Sequence, residues 1–191
     1  MLKPTNYDNL IVDDYSPIKL GGHYLEIIDV KESVSRSGNP LLVIHIDFAE
    51  NDVQPGLFFK RYANDTRPEP RWPAQATFYI VPVNKKNECS LGLKKFVIAV
   101  EQSNPGFKVN WIEGPDFAKQ FAGKQVGGVF GNLEEEYNGE YFIRRKLRWF
   151  CNCSAVPDAQ IPKDKLLKKH SPEFSEPITE LNSAPSDDDP F

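Results

Sequence analysis

The chain of 191 residues is 40% hydrophobic and 26% charged, fractions that suit one folded domain with extensions. No apolar run approaches the roughly 20 residues that span a bilayer, and the first residues show no signal-peptide pattern. These features predict a cytoplasmic protein without membrane association.

The formal net charge of −4 is unevenly distributed along the chain. Residues 1–170 carry all 23 Lys and Arg against 21 Asp and Glu, whereas residues 171–191 carry six acidic residues and no basic one. The chain thus has a nearly neutral body and an acidic C-terminal tail.

The first half of the chain is predicted to form an irregular arm followed by β-strands. Residues 1–20 show little periodicity. Two runs rich in Val, Ile and Leu, 23–35 and 41–50, flank a Gly-Asn-Pro turn and predict a hairpin. Residues 57–62 and 74–83 are two further strand candidates.

The second half adds one helix and a second hairpin. Helical spacing over 91–102, with Ser90 as the cap, predicts the central helix, and 117–121 fits one more helical turn. Asn138-Gly139 predicts the turn of a hairpin formed by 124–135 and 140–153. The Pro-rich stretch that follows lacks periodicity, apart from a short helix candidate at 163–169, and is expected to be disordered.

This order predicts a mainly β fold. The order suits an OB-fold-like five-stranded Greek-key barrel with one helix between strands 3 and 4. This assignment requires that the strand candidate at 57–62 belongs to the loops before strand 3. Other small Greek-key barrels would give a similar order. The predicted organisation is an arm at 1–20, a barrel at 21–156, and a disordered linker and acidic tail at 157–191.

The last predicted strand alternates basic and aromatic residues. Strict alternation places Arg144, Lys146 and Arg148 on one face with Phe142 and Phe150. Cations that follow phosphates and rings that stack on bases are typical of a surface for single-stranded nucleic acid. The alternative is a solvated edge strand protected by its charges.

A second basic and aromatic group lies between residues 58 and 72. Phe58, Lys60 and Tyr62 fall on one face if 57–62 is a strand, and Arg71 and Trp72 follow in a Pro-containing loop. The Trp72 ring could either stack on a base or fold back to close the end of the barrel. Together with Arg144, Lys146 and Arg148 of the last predicted strand, these five residues are the candidate DNA-binding residues.

Patterns for catalysis or metal binding are scarce. The three cysteines, Cys89, Cys151 and Cys153, lack the spacing of a zinc site. Alternation places Cys151 and Cys153 on one strand face, where they are expected to be two small buried thiols. His45 and Asp47 could share a strand face as a metal or base pair, although a surface pair is the simpler interpretation. Gly127, Gly128 and Gly131 read as barrel bends. We therefore predict no enzyme, metal or cofactor.

The C-terminal residues form the most specific motif. Asp187, Asp188 and Asp189 precede Pro190 and a terminal Phe191. A ring that fills a pocket, with carboxylates that meet Arg or Lys at its rim, is typical of a partner-binding ligand. A generic solubilising tail would not need the final aromatic residue.

This tail resembles that of bacterial single-stranded DNA-binding proteins, although the apolar residue usual before Pro is missing here. The body is similar instead to phage and prophage proteins of Gram-positive bacteria that carry the same kind of tail, notably over 96–108, Trp111 and 123–127. The resemblance spans about residues 20–191 and implies an OB fold, a role in phage replication or recombination, and no catalytic residues.

The sequence thus predicts a protein that binds and protects single-stranded DNA without strong sequence preference in the cytoplasm of a bacterial host. Its tail would recruit replication, recombination or repair proteins, and homo-oligomerisation is left open. One alternative is a phage adaptor whose barrel binds protein. A more distant one is a metal-dependent nuclease that uses His45 and Asp47.

Overall fold

The computed structural model describes residues 2–3, 16–84, 86–112, 114 and 116–167. Within these residues the chain forms five strands, three α-helices and two short 3₁₀ turns. The strands are β1 (Gly21–Val34), β2 (Pro40–Phe48), β3 (Thr77–Ile80), β4 (Gln125–Tyr137) and β5 (Glu140–Cys151). The helices are α1 (Leu57–Ala63), α2 (Leu91–Ser103) and α3 (Asp116–Lys119), and the 3₁₀ turns are Ala74–Ala76 and Cys153–Ala155.

The strands form one antiparallel sheet in the order β3-β2-β1-β4-β5. Both predicted hairpins are confirmed. In the second, Asn138 and Gly139 have φ angles of 53° and 81°, as a two-residue turn of primed type requires. The predicted central helix is also confirmed, and Ser90 accepts a hydrogen bond from the Leu93 amide at its start.

The core lies on the inner face of this sheet. Alternate residues of β2 point inward, and α2 packs its own buried face against β4 and β5. The sheet is open, but its edges approach one another: Phe78 of β3 and Phe150 of β5 meet edge-on at 5.0 Å between ring centroids. Phe96 of α2 lies at the same distance from Phe150 and fills the gap between the edges. The mainly β prediction is confirmed as a five-stranded, strongly curved sheet.

Residues 57–62 are helical, so the strand predicted there is wrong. Pro55 and Gly56 precede α1, and Gly56 enters it with φ 65°, a conformation that favours glycine. The carboxylate of Asp47 on β2 then accepts the amides of Phe58 (2.9 Å) and Phe59 (2.8 Å). These amides have no partner within the helix, so a long-range acceptor stabilises the first turn. Alternation over six residues could not reveal that acceptor.

Three glycines make room for a C-terminal strap, which we define as residues 152–167. A Cβ at Gly22 would collide with the Val156 carbonyl, and one at Gly131 with Pro162. At Gly127 a Cβ would lie 2.7 Å from the Asn152 carbonyl. Gly127 and Gly131, which were predicted to be barrel bends, thus lie where a crossing chain approaches the sheet closely.

The strap ends beside β4. The Lys165 amide donates to the Asn132 carbonyl (3.1 Å), and the Glu134 amide donates to the Lys165 carbonyl (2.9 Å). Arg148 donates to the carbonyls of Asn132 and Lys163 from β5. Residues 157–167 thus belong to the folded unit, contrary to the predicted linker start at 157, and 163–167 are extended rather than helical.

A buried contact between His23 and Asp52 holds the start of β1 to the loop after β2. His23 is 1% exposed; its Nδ1 lies 3.0 Å from an Asp52 carboxylate oxygen, and its Nε2 lies 2.9 Å from the Lys19 carbonyl. Both ring nitrogens therefore lie within hydrogen-bond distance of an oxygen acceptor. Asp52 also accepts the Tyr24 amide, so one carboxylate fixes two segments.

Replacing Asp47 with Ala should destabilise the fold by roughly 2–4 kcal/mol, because three backbone amides, those of Phe48, Phe58 and Phe59, lose their acceptor. Urea unfolding followed by circular dichroism measures this loss. Asp158→Ala, at an exposed position, should change stability by less than about 0.5 kcal/mol. Equal stability of the two variants would contradict the role of Asp47.

Candidate nucleic-acid interface

The outer face of β1, β2 and β3 carries two rows of side chains. The sheet register aligns Asp29 with His45 and Thr77, and Lys31 with Val43 and Tyr79. A bulge at Ile28 shifts the register of β1 immediately before Asp29. Bulges re-aim side chains, and here Ile28 and Asp29 both reach the outer surface.

Trp72 and Tyr62 form one wall of a groove over this face. Their ring centroids are 5.4 Å apart, and Trp72 lies 6.1 Å from His45. The Trp72 indole N–H donates to the Ile46 carbonyl at 3.2 Å, which fixes the ring while leaving it half-buried. Tyr79, which is 60% exposed, also lines the groove. The groove has a volume of about 580 Å³ and includes Arg71 and Lys31 in its lining.

The loop that carries Arg71 and Trp72 is organised by Asp65. Its carboxylate accepts hydrogen bonds from the Arg67 side chain (2.6 Å at the shortest) and from the Arg71 amide (2.9 Å). The side-chain bond from Arg67 holds the pKa of Asp65 well below its ordinary value, and the amides of Arg71 and Arg67 add to this effect. The pKa of Arg67 is raised by the same pairing. The loop is therefore held in place by one carboxylate.

His45 lines the groove as a neutral imidazole. Burial lowers its pKa, Lys31 lowers it further, and Asp29 opposes both effects. Asp29 itself pairs with Lys31 at 2.8 Å, while its distance to His45 Nδ1 is 3.9 Å, too long for a hydrogen bond.

Asp47 does not join His45 in a reactive pair. Its side chain is buried against α1, and all its hydrogen bonds come from backbone amides. Burial raises the pKa of Asp47, and the three amides oppose that rise. The part of the chain that the structure describes contains no cluster of three or more His, Cys, Asp or Glu arranged to hold a metal ion.

The cations of β5 have protein partners. Lys146 and Arg144 both pair with Glu135, and Arg148 binds the strap. A register shift near Arg148 breaks the predicted alternation, so Phe150 lies in the core instead of beside the cations. Phe142 stays exposed. The continuous basic and aromatic face predicted for this strand is therefore not formed.

The eight predicted DNA-binding residues thus separate into distinct regions. The groove brings together Tyr62, Arg71 and Trp72. Lys60 lies on the exposed side of α1, whereas Phe58 is fully buried against Phe48 and cannot stack on a ligand. The remaining three, Arg144, Lys146 and Arg148, belong to β5.

Sequence reasoning missed Tyr79, Asp29 and Lys31. Alternation within Thr77–Ile80 could have indicated Tyr79, because its neighbours on either side face the core. The bulge at Ile28 gives no such signal. The predicted tail residues Asp187, Asp188, Asp189, Pro190 and Phe191 lie outside the described residues.

No helix within the described residues is long and apolar enough to cross a membrane. Comparison with protein-family models finds no match to this chain, and no curated protein is significantly similar to it.

Proposed function

We propose that this protein binds single-stranded DNA across the outer face of β2 and β3. The observation that carries the proposal is the groove in which Tyr62, Trp72 and Tyr79 present rings beside Arg71 and Lys31. Successive bases can stack on such rings, and this type of binding tolerates different sequences.

The strand arrangement supports an OB-type barrel as the scaffold. The OB fold is a partly open five-stranded Greek-key barrel, and it binds oligonucleotides on the face of strands 2 and 3. Here a curved sheet of five antiparallel strands has a helix between β3 and β4, and its aromatic groove lies over β2 and β3. The location of the groove and the proposed function therefore agree.

The electrostatic contribution should be modest. Two cations line the groove, Lys31 and Arg71, and Lys31 also pairs with Asp29, while the cations of β5 have protein partners. Single-strand binding loses about 0.7 counterion per neutralised phosphate, so the slope of log K against log salt should be no steeper than about −1.4. Stacking then supplies most of the affinity.

The acidic C-terminal motif would recruit partner proteins. Asp187, Asp188 and Asp189 with Pro190 and Phe191 suit a partner pocket that has a basic rim. This recruitment would act in phage replication, recombination or repair in the host cytoplasm. The protein itself would perform no catalysis.

A second candidate function is that of a protein-binding adaptor, and a specific surface favours it. An apolar groove of about 520 Å³ lies between the end of the first hairpin and the α2–β4 connection. Trp111, 64% exposed, lines it with Ile112 and Leu41. An adaptor would use this groove and ignore DNA.

Fluorescence anisotropy of labelled dT30, with a duplex of equal length, separates the two functions. The full chain should bind dT30 with the shallow salt dependence given above and bind the duplex weakly. Trp72→Ala should cost about 1–3 kcal/mol of binding free energy, because one stacking surface is lost. Trp111→Ala is the matched control and should bind dT30 normally. No binding at low salt to dT30 or to a 30-base single strand of mixed sequence would leave the adaptor as the function.

Replacing Asp65 with Ala should weaken dT30 binding although it removes a negative charge. The loss releases Arg67 and the Arg71 amide, so the Trp72 loop is no longer fixed. Glu69→Gln removes the same charge from the exposed part of this loop and should leave affinity equal or higher. Tighter binding by the Asp65 variant would show that charge, and not loop position, dominates.

Deleting Asp187 to Phe191 should keep or tighten dT30 binding and abolish capture of replication or repair proteins. The reason is that the acidic tail can compete with DNA for the cationic groove. Anisotropy and a pull-down with full-length and truncated chains measure the two effects. Weaker DNA binding by the truncated chain would contradict competition by the tail.

A further inference from the structure

The groove contains charged groups of different exposure. Arg71 is exposed, whereas Asp29 is 36% exposed and the neutral ring of His45 is 20% exposed. Lys31 pairs with Asp29 at 2.8 Å. A carboxylate repels phosphate at close range, so a bound strand would place its phosphates toward Arg71 and its bases toward Asp29 and His45.

The Asp29 carboxylate has capacity for further hydrogen bonds. One oxygen, Oδ2, lies 2.8 Å from Lys31 Nζ, and Oδ1 accepts no hydrogen bond from any residue that the structure describes. The bulge at Ile28 directs the side chain onto the outer face, where it remains 36% exposed. An ionised carboxylate offers about four lone-pair sites on two oxygens, so pairing with one lysine leaves most of them unused.

We propose that Asp29 reads the Watson–Crick edge of a base held in the groove and thereby favours guanine. Guanine presents two adjacent donors, the N1–H and the 2-amino group, which match the two carboxylate oxygens. Cytosine offers one amino group next to an acceptor. Thymine offers one N–H between two carbonyl groups that the carboxylate repels.

His45 adds to this selection. As a neutral imidazole it carries one N–H, and it faces Asp29 across the β1–β2 pair. A base whose donors meet Asp29 would lie over this ring, with Trp72 6.1 Å beyond it. The inference rests on the proposed function, because it assigns a base preference to the same groove.

Three single strands of 30 bases test the preference: d(TTG)10, d(TTI)10 and d(TTC)10. Hypoxanthine, the base of the dI nucleotide, differs from guanine only by the missing 2-amino group. The full chain should bind d(TTG)10 about tenfold more tightly than d(TTI)10, since a good bidentate contact gives discrimination of this order. The d(TTC)10 strand should bind no better than d(TTI)10.

Asp29→Asn should remove the preference for d(TTG)10 while keeping or raising affinity for d(TTC)10, because a negative charge is lost. Glu32→Gln removes a charge from the same strand outside this groove and should keep the preference. Thermal unfolding of each variant verifies folding, and the comparison of strands by the unmodified chain needs no variant.

Equal affinity for d(TTG)10 and d(TTI)10 would overturn the guanine inference and leave single-strand binding intact. A preference that survives in Asp29→Asn would overturn the role of Asp29. Failure to bind any of the three strands would refute the proposed function together with the inference.

Discussion

The site depends on one buried carboxylate. Asp47 extends from β2 to the first turn of α1 and accepts amides that the helix itself cannot satisfy. This contact sets where α1 lies over the end of the sheet, with Phe58 in the core and Tyr62 at the surface. Trp72 then packs against Tyr62 and donates to the Ile46 carbonyl of the same strand. The aromatic wall of the groove is therefore attached to β2 at two points.

Irregularities of the sheet also determine which side chains reach its outer face. The bulge at Ile28 brings Asp29 to the outer face, and the shift near Arg148 sends Phe150 into the core. Gly22, Gly127 and Gly131 leave a shallow path for the strap on the strands β1 and β4. The outer surface is thus divided: the strap covers part of β1 and β4, while the β2 and β3 part stays open.

Much of the fold follows from local patterns, but the site follows from them only in part. Alternation, the Ser90 cap and the Asn138-Gly139 turn predicted two hairpins and the central helix. The α1 helix was missed because its stabilising acceptor is ten or more residues away in sequence. Tyr62, Arg71 and Trp72 lie together in the groove, although the strand face assumed for Tyr62 is a helix. The cations of β5 were predicted to face a nucleic acid. The sequence alone cannot show that Glu135 and a carbonyl of the strap bind them.

Photo-crosslinking tests the location of the proposed DNA-binding face most directly. The three tryptophans lie on separate surfaces: Trp72 in the groove, Trp111 in the apolar groove and Trp149 on β5. The full chain would be irradiated with a 30-base strand that contains bromouracil, and the linked peptides identified by mass spectrometry. We expect links at Tyr62, Trp72 or Tyr79, competed by unlabelled dT30. Links confined to Trp111 or to the β5 segment would contradict the account.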